Sequence, residues 1–132
     1  MNKSFYFTCN TIIAVIVILL GIIHNIATFT PIIETGFECV PAEAHMTLVF
    51  FSLGTGTATL LSGLLLLVLG NAIKAGAKKV KGALNLTVSF LLFIAAVAVI
   101  CGTKNPFAYI MLIIAISELI VVCNLRQTPD II

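Results

Sequence analysis

Four apolar runs, separated only by short polar stretches, decide most of what this chain can fold into. They cover about residues 11–33, 46–69, 83–102 and 107–125. A bilayer's hydrocarbon core is about 30 Å thick and takes about 20 helical residues to cross, so each run is long enough to span it. The 132 residues leave room for four such helices and short loops, with no soluble domain beside them. Only 9% of the chain is charged, against about 25% in soluble domains. The expected fold is all-α: a polytopic membrane protein, one transmembrane domain over residues 1–132, built as an antiparallel four-transmembrane-helix bundle.

The charges between the runs set an orientation. Lys3 before the first run has the look of a signal peptide, but a signal's apolar region is about 7 to 15 residues and ends at a small-residue cleavage site. This run is longer and lacks that ending, so it is expected to stay as the first span, with Pro31 finishing or kinking it. The stretch that follows carries Glu34, Glu38 and Glu43 and no Lys or Arg, whereas Lys74, Lys78, Lys79 and Lys81 cluster between the second and third runs. By the positive-inside rule that cluster is cytoplasmic. With both termini cytoplasmic as well, Lys3 and Arg126 join it and only Lys104 falls outside. The short connection at 103–106 makes the third and fourth helices antiparallel neighbours. Tyr6 and Tyr109 fall at the two interfaces, where amphipathic rings sit at headgroup level. The lysines could also attract anionic headgroups, although fixing orientation is their ordinary role. Nothing in a net charge of +2 points to nucleic acid.

Polar residues inside the runs are the candidates for function. Leu20 to Pro31 reads LGIIHNIATFTP and places His24, Asn25 and Thr28 in an otherwise apolar helix, with His24 and Thr28 one turn apart on one face. In the second run, FFSLGTGTATLLSGLLLL, the residues Ser52, Gly56, Thr59 and Gly63 recur every three or four positions. Small residues at that spacing let two backbones approach, and helix packing is their commoner use. The same face could instead line a polar pocket. Counted from the expected outer helix ends at 1.5 Å per residue, His24 lies about 13 Å deep, Ser52 to Thr55 about 9 to 14 Å, and Glu118 of the last run about 16 Å. A carboxyl at that depth has to be protonated, paired or hydrogen-bonded, and His24 is the intramembrane base available to it. The expected site is a His24 to Glu118 contact supported by Asn25, Thr28, Ser52, Thr55, Thr59 and Ser117; a buried polar pair that only fixes helix register is the alternative.

Other patterns carry less. Cys9, Cys39, Cys101 and Cys123 have no C-x-x-C spacing, so neither a redox motif nor a zinc site is indicated. Cys39 and Cys101 share the expected outer side, where a disulfide is possible; Cys9 and Cys123 read as apolar fillers. His45 at a helix margin and His24 inside do not make a haem pair, and a solvated loop accounts for His45, Glu38 and Glu43 better than a metal does. No cofactor is expected. Asn85-Leu86-Thr87 fits the glycosylation pattern on the wrong side of the membrane. No internal repeat relates the halves, so an inverted-repeat carrier would need a homodimer, and association as a homodimer is expected.

The L-G-x-x-H element at Leu20 to His24, followed by F-S-x-G-x-x-x-x-x-x-x-x-G-L-L from Phe51, resembles small uncharacterised bacterial four-helix inner-membrane proteins. The likeness covers the first two helices and implies multi-pass placement in the bacterial inner membrane and a shared role for His24. It brings no substrate. Drug-proton antiporters also hold one membrane carboxylate, but in the first helix, which does not match Glu118. The leading expectation is binding or transport of a small hydrophobic or amphipathic molecule, a lipid among them, through an inter-helix pocket with proton-sensitive His24 and Glu118. The alternatives are an integral-membrane enzyme acting on a lipid or isoprenoid, with His24 as base and Glu118 as acid, and a non-catalytic immunity or accessory subunit.

Overall fold

A computed structural model describes residues 3–30, 40–101 and 105–127. Four helices account for nearly all of them: α1 (Lys3–Ala27), α2 (Ala42–Lys74), α3 (Lys81–Cys101) and α4 (Pro106–Gln127), with a 3-10 turn at Lys78–Val80 leading into α3. All four are long and apolar enough to cross a membrane.

The helix ends are set by local chemistry rather than by the edges of the apolar runs. α1 begins at Lys3, eight residues before the expected start at 11. The hydroxyls of Thr8 and Thr11 bond back to the Ser4 and Phe7 carbonyls and keep this polar lead helical. It ends at Ala27 and not near 33. Phe29 and Thr30 bond only three residues back, and the Thr28 and Thr30 hydroxyls take the His24 and Ala27 carbonyls. Pro31 also disfavours helical backbone at the residue before it. α2 runs past the expected 46–69 at both ends because its stop signals lie further out. Pro41 is its N-cap. At the other end Gly76, at φ +97°, closes a Schellman motif in which Ala77 N–H bonds Ala72 O at 2.9 Å and Gly76 N–H bonds Ile73 O at 3.0 Å. α4 starts on Pro106, where the missing N–H is harmless, and Asn105 Oδ1 caps it by accepting from Phe107 N–H at 3.0 Å.

The four helices form a ring in which each packs on its chain neighbours and α4 closes against α1. Each buries a seam of residues spaced alternately three and four apart, the repeat of knobs-into-holes packing. On α1 it is Phe7, Asn10, Ala14, Val17, Gly21, His24 and Thr28; on α2 Ser52, Gly56, Thr59, Gly63, Leu66, Gly70 and Ile73. On α3 it is Leu84, Val88, Leu91 and Ala95, and on α4 Ala108, Met111, Ala115, Glu118, Val122 and Leu125. Large residues such as Ile12, Leu19, Ile23, Phe93, Ile113 and Ile120 point outward, which suits a surface that lipid tails would cover.

Adjacent helices are antiparallel. Thr28 of α1 meets Ser52 of α2, while Asn10, eighteen positions earlier, reaches the Leu66 carbonyl. On the α4 side His24 lies against Phe107, and Phe7 packs with Val121 and Leu125. One end of the bundle therefore carries Lys3, the lysines of the α2–α3 turn and the last turn of α4. The other carries His24, Ser52 and the start of α4.

Candidate functional site

At the His24 end a small polar cluster ties α1 to α2. Ser52 Oγ lies 3.3 Å from His24 Nε2 and 2.8 Å from Thr28 Oγ1, and Thr28 Oγ1 donates to the His24 carbonyl at 3.0 Å. Each hydroxyl has one proton, so the directions follow. Thr28 gives its proton to the carbonyl, Ser52 gives its own to Thr28, and His24 Nε2 must carry the hydrogen it donates to Ser52. In this chain of bonds the imidazole is a donor, which is the reverse of a base drawing a proton from serine. Beside it, Asn25 Nδ2 donates to Thr57 Oγ1 at 3.3 Å. The His24 ring stands 5.8 Å, centroid to centroid, from that of Phe107.

Glu118 does not belong to this cluster. It follows Phe107 by eleven positions on α4, which is about 16 Å of helix rise. Met111 and Ala115 occupy the seam between them. The expected His24 to Glu118 contact is therefore not formed. The physical reason lies at the end of α1: with the helix stopping at Ala27, His24 is three residues from its end and not nine. Glu118 is fully buried beside Ala115 and Val122, and neither carboxyl oxygen has a hydrogen-bond partner. By the register fixed at His24–Phe107 and Phe7–Val121, its level on α1 is near Asn10 and Thr11.

The remaining expected residues divide. His24, Asn25, Thr28 and Ser52 are brought to one end of the α1–α2 contact. Thr59 is buried on the α2 seam, its hydroxyl held by the Thr55 carbonyl at 2.9 Å. Thr55 is exposed on another face and bonds the Phe51 carbonyl; it is one position off the seam, so it cannot share a pocket with His24. Ser117 bonds its own helix at Ile113. Two polar contributors escaped the sequence reading. Asn10 is buried with Nδ2 on the Leu66 carbonyl, 3.2 Å away, and Oδ1 without a partner. Thr57 holds Asn25. Asn10 sits in step with the α1 seam, a signal hidden by its place in the polar lead. Cys9 and Cys123 are free thiols, while Cys39 of the expected Cys39–Cys101 pair lies outside the described residues. Among the described residues no three of His, Cys, Asp and Glu are grouped to hold a metal ion.

Among the described residues an opening lies between α2 and α3. Its upper part, toward the His24 end, has a volume of about 700 Å³ between Phe50, Phe51, Gly54 and Thr55 on α2 and Phe90, Phe93 and Val97 on α3. A lower part of about 460 Å³ continues between Leu61, Ser62 and Leu65 and the facing Leu86 and Thr87. Ala58 and Phe90 line both, so the two parts meet. The hydroxyls on its walls are turned back to their own helices: Thr55 to Phe51 O, Ser62 to Ala58 O at 2.8 Å and Thr87 to Ala83 O at 2.9 Å. What they leave facing the cleft is hydrocarbon and aromatic ring. Comparison of the chain with protein-family models, with curated proteins and with solved structures finds no match.

Proposed function

We propose that this protein is a multi-pass membrane protein of the bacterial inner membrane that binds a hydrophobic or amphipathic molecule in the cleft between α2 and α3. The observation that supports this reading is the cleft itself: two connected openings walled by Phe50, Phe51, Phe90 and Phe93, with the hydroxyls of Thr55, Ser62 and Thr87 already satisfied within their own helices. Such a surface offers a ligand no polar anchor and favours a chain or ring of hydrocarbon, since apolar sites gain most from contacts along their walls. In this role the His24–Ser52–Thr28 cluster fastens α1 to α2 and so supports one wall of the cleft. Glu118, buried without a partner, is the group in the bundle whose protonation would loosen or tighten the packing; intramembrane acids are functional candidates for that reason.

Native mass spectrometry of protein extracted in a mild detergent tests the reading. The wild type is expected to retain a molecule of lipid-like mass, and Ala58→Trp, which puts an indole where the two parts of the cleft join, is expected to lose most of it. Gly54→Phe, at a position where an added side chain meets open space, is expected to reduce it without harm to the fold. Equal retention in all three, or none in the wild type, overturns the proposal. A co-purifying polypeptide in place of a small molecule would speak for the accessory-subunit alternative.

A further inference from the structure

The cleft is apolar along its walls, but it runs toward the most concentrated charge in the chain. Below Leu65 and Leu86 the two helices that form it are joined by the lysine turn. Lys74 is the last residue of α2, Lys78 and Lys79 stand in the 3-10 turn, and Lys81 opens α3. Lys74, Lys78 and Lys79 are exposed and Lys81 half-buried. No acidic residue lies between Gly70 and Gly82; Glu34, Glu38 and Glu43 precede or open α2 at its other end. The start of α3 adds the positive end of its dipole to the same place.

Depth makes the two features complementary. Leu86 is five residues from Lys81 and Leu65 nine from Lys74, about 8 Å and 14 Å of helix rise. The headgroup layer adds about 5 to 8 Å to each side of the hydrocarbon core. A chain lying in the lower cleft therefore has its headgroup among the lysines. From this we infer that the occupant of the cleft is an anionic phospholipid, its acyl chain between α2 and α3 and its phosphate on the Lys74–Lys81 turn. The inference rests on the cleft being a binding site and adds the headgroup class to it. The Schellman closure at Gly76 holds the turn tight, so the lysines keep a fixed place relative to the cleft mouth.

The test uses the full chain in bilayers of equal phosphatidylglycerol and phosphatidylcholine, followed by extraction and mass spectrometry of the bound lipid. The ratio of bound phosphatidylglycerol to phosphatidylcholine is expected to stand on the order of 25-fold above the one-to-one of the bilayer, roughly fivefold for each of Lys78 and Lys79. Lys78→Gln with Lys79→Gln leaves Lys3, Lys74, Lys81 and Arg126 to hold orientation, and is expected to bring the ratio toward unity, by roughly fivefold per lysine, with total bound lipid unchanged. Ala58→Trp is expected to lower the total. Lipid retained by the wild type without headgroup preference, or with a preference the lysine variant does not move, overturns the anionic assignment and leaves the cleft standing. Enrichment that survives Ala58→Trp at full occupancy places the lipid on the lysines outside the cleft and overturns it too. No lipid retained by the wild type removes the cleft reading and this inference with it.

Discussion

The two faces of α2 that meet its neighbours are built from similar small residues and come out as opposites. Toward α1 it presents Gly56, Gly63 and Gly70, seven apart, against Asn10, Ala14, Ile18, Gly21 and Asn25. There the backbones all but touch: a Cβ on Gly21 would lie 2.6 Å from the Leu60 nitrogen and 2.8 Å from the Gly56 carbonyl oxygen. Toward α3 it presents Gly54 and Ala58, and a Cβ on Gly54 would meet nothing within 4 Å. The partner makes the difference. α1 answers with Gly21 and Ala14, whereas α3 answers with Phe90 and Phe93, whose rings line the opening. In lipid, where apolar surface alone does not drive helices together, close approach of backbones is a main source of adhesion. One face of α2 is therefore a joint and the other an opening.

The largest effect should come from the joint. Gly21→Ala is expected to lower stability by about 2 to 3 kcal/mol, the upper part of the range for overpacking, because the atoms in the way belong to the α2 backbone and have nowhere to go. Gly63→Ala, whose Cβ would lie 2.8 Å from the Ile18 nitrogen and 2.9 Å from the Ala14 carbonyl oxygen, should cost nearly as much. Unfolding in mixed micelles with a denaturing detergent measures both, and a loss under about 0.5 kcal/mol, the scale of an ordinary surface change, would mean that this contact is not tight.

Glu118 comes next, and its effect has the other sign. A buried group with no hydrogen-bond partner carries a desolvation penalty of about 1 to 3 kcal/mol, and an apolar side chain of similar length removes it. Glu118→Met is expected to raise stability by about that amount, in the same unfolding measurement. Destabilisation would show that the carboxyl has a partner that holds it in place. A variant more stable yet poorer in lipid retention would tie the acid to the opening rather than the joint.

These contrasts also separate what the residues announced from what they did not. The four spans were legible because about 20 apolar residues in a row have few other uses, and the seam of α2 was legible because Ser52, Gly56, Thr59 and Gly63 keep a three-four rhythm. Depth was not. It was counted from the edge of the first apolar run at 33, and the helix stops at Ala27, where threonine hydroxyls and Pro31 end it. That six-residue difference is what placed His24 level with Glu118 on paper. Thr55 stands one position from the α2 seam, which on a helix is 100° of rotation and a different neighbour. The cleft was illegible for a deeper reason: periodicity tells which residues face a neighbour, and only the sizes on both sides tell how near that neighbour comes.

At the His24 end hydrogen bonds are added to the close approach at Gly56, and their expected effect is smaller. Ser52→Ala removes the acceptor of His24 Nε2 and the donor to Thr28 Oγ1. Polar links between membrane helices average about 0.6 kcal/mol, so a loss of about 0.6 to 1 kcal/mol is expected, with coupling to Thr28→Val in a double-mutant cycle. Coupling near zero would make the three side chains neighbours without a shared bond.

The smallest effect belongs to the opening. Gly54→Ala adds a methyl group where nothing stands within 4 Å, so stability should change by no more than about 0.5 kcal/mol. That is a fraction of what the same substitution does at Gly21, on the helix that packs against the opposite face of α2. The pair is a sharp comparison because residue type, helix setting and chemical change are identical, and intrinsic helix propensity therefore cancels between them. What remains is the distance to the next backbone. Should both substitutions cost the same, the cleft closes in the membrane and α2 packs as tightly on α3 as on α1. A difference of about 2 kcal/mol, with Gly54→Ala still retaining lipid and Gly54→Phe losing it, fixes the opening as a place that side chains and ligand compete to fill.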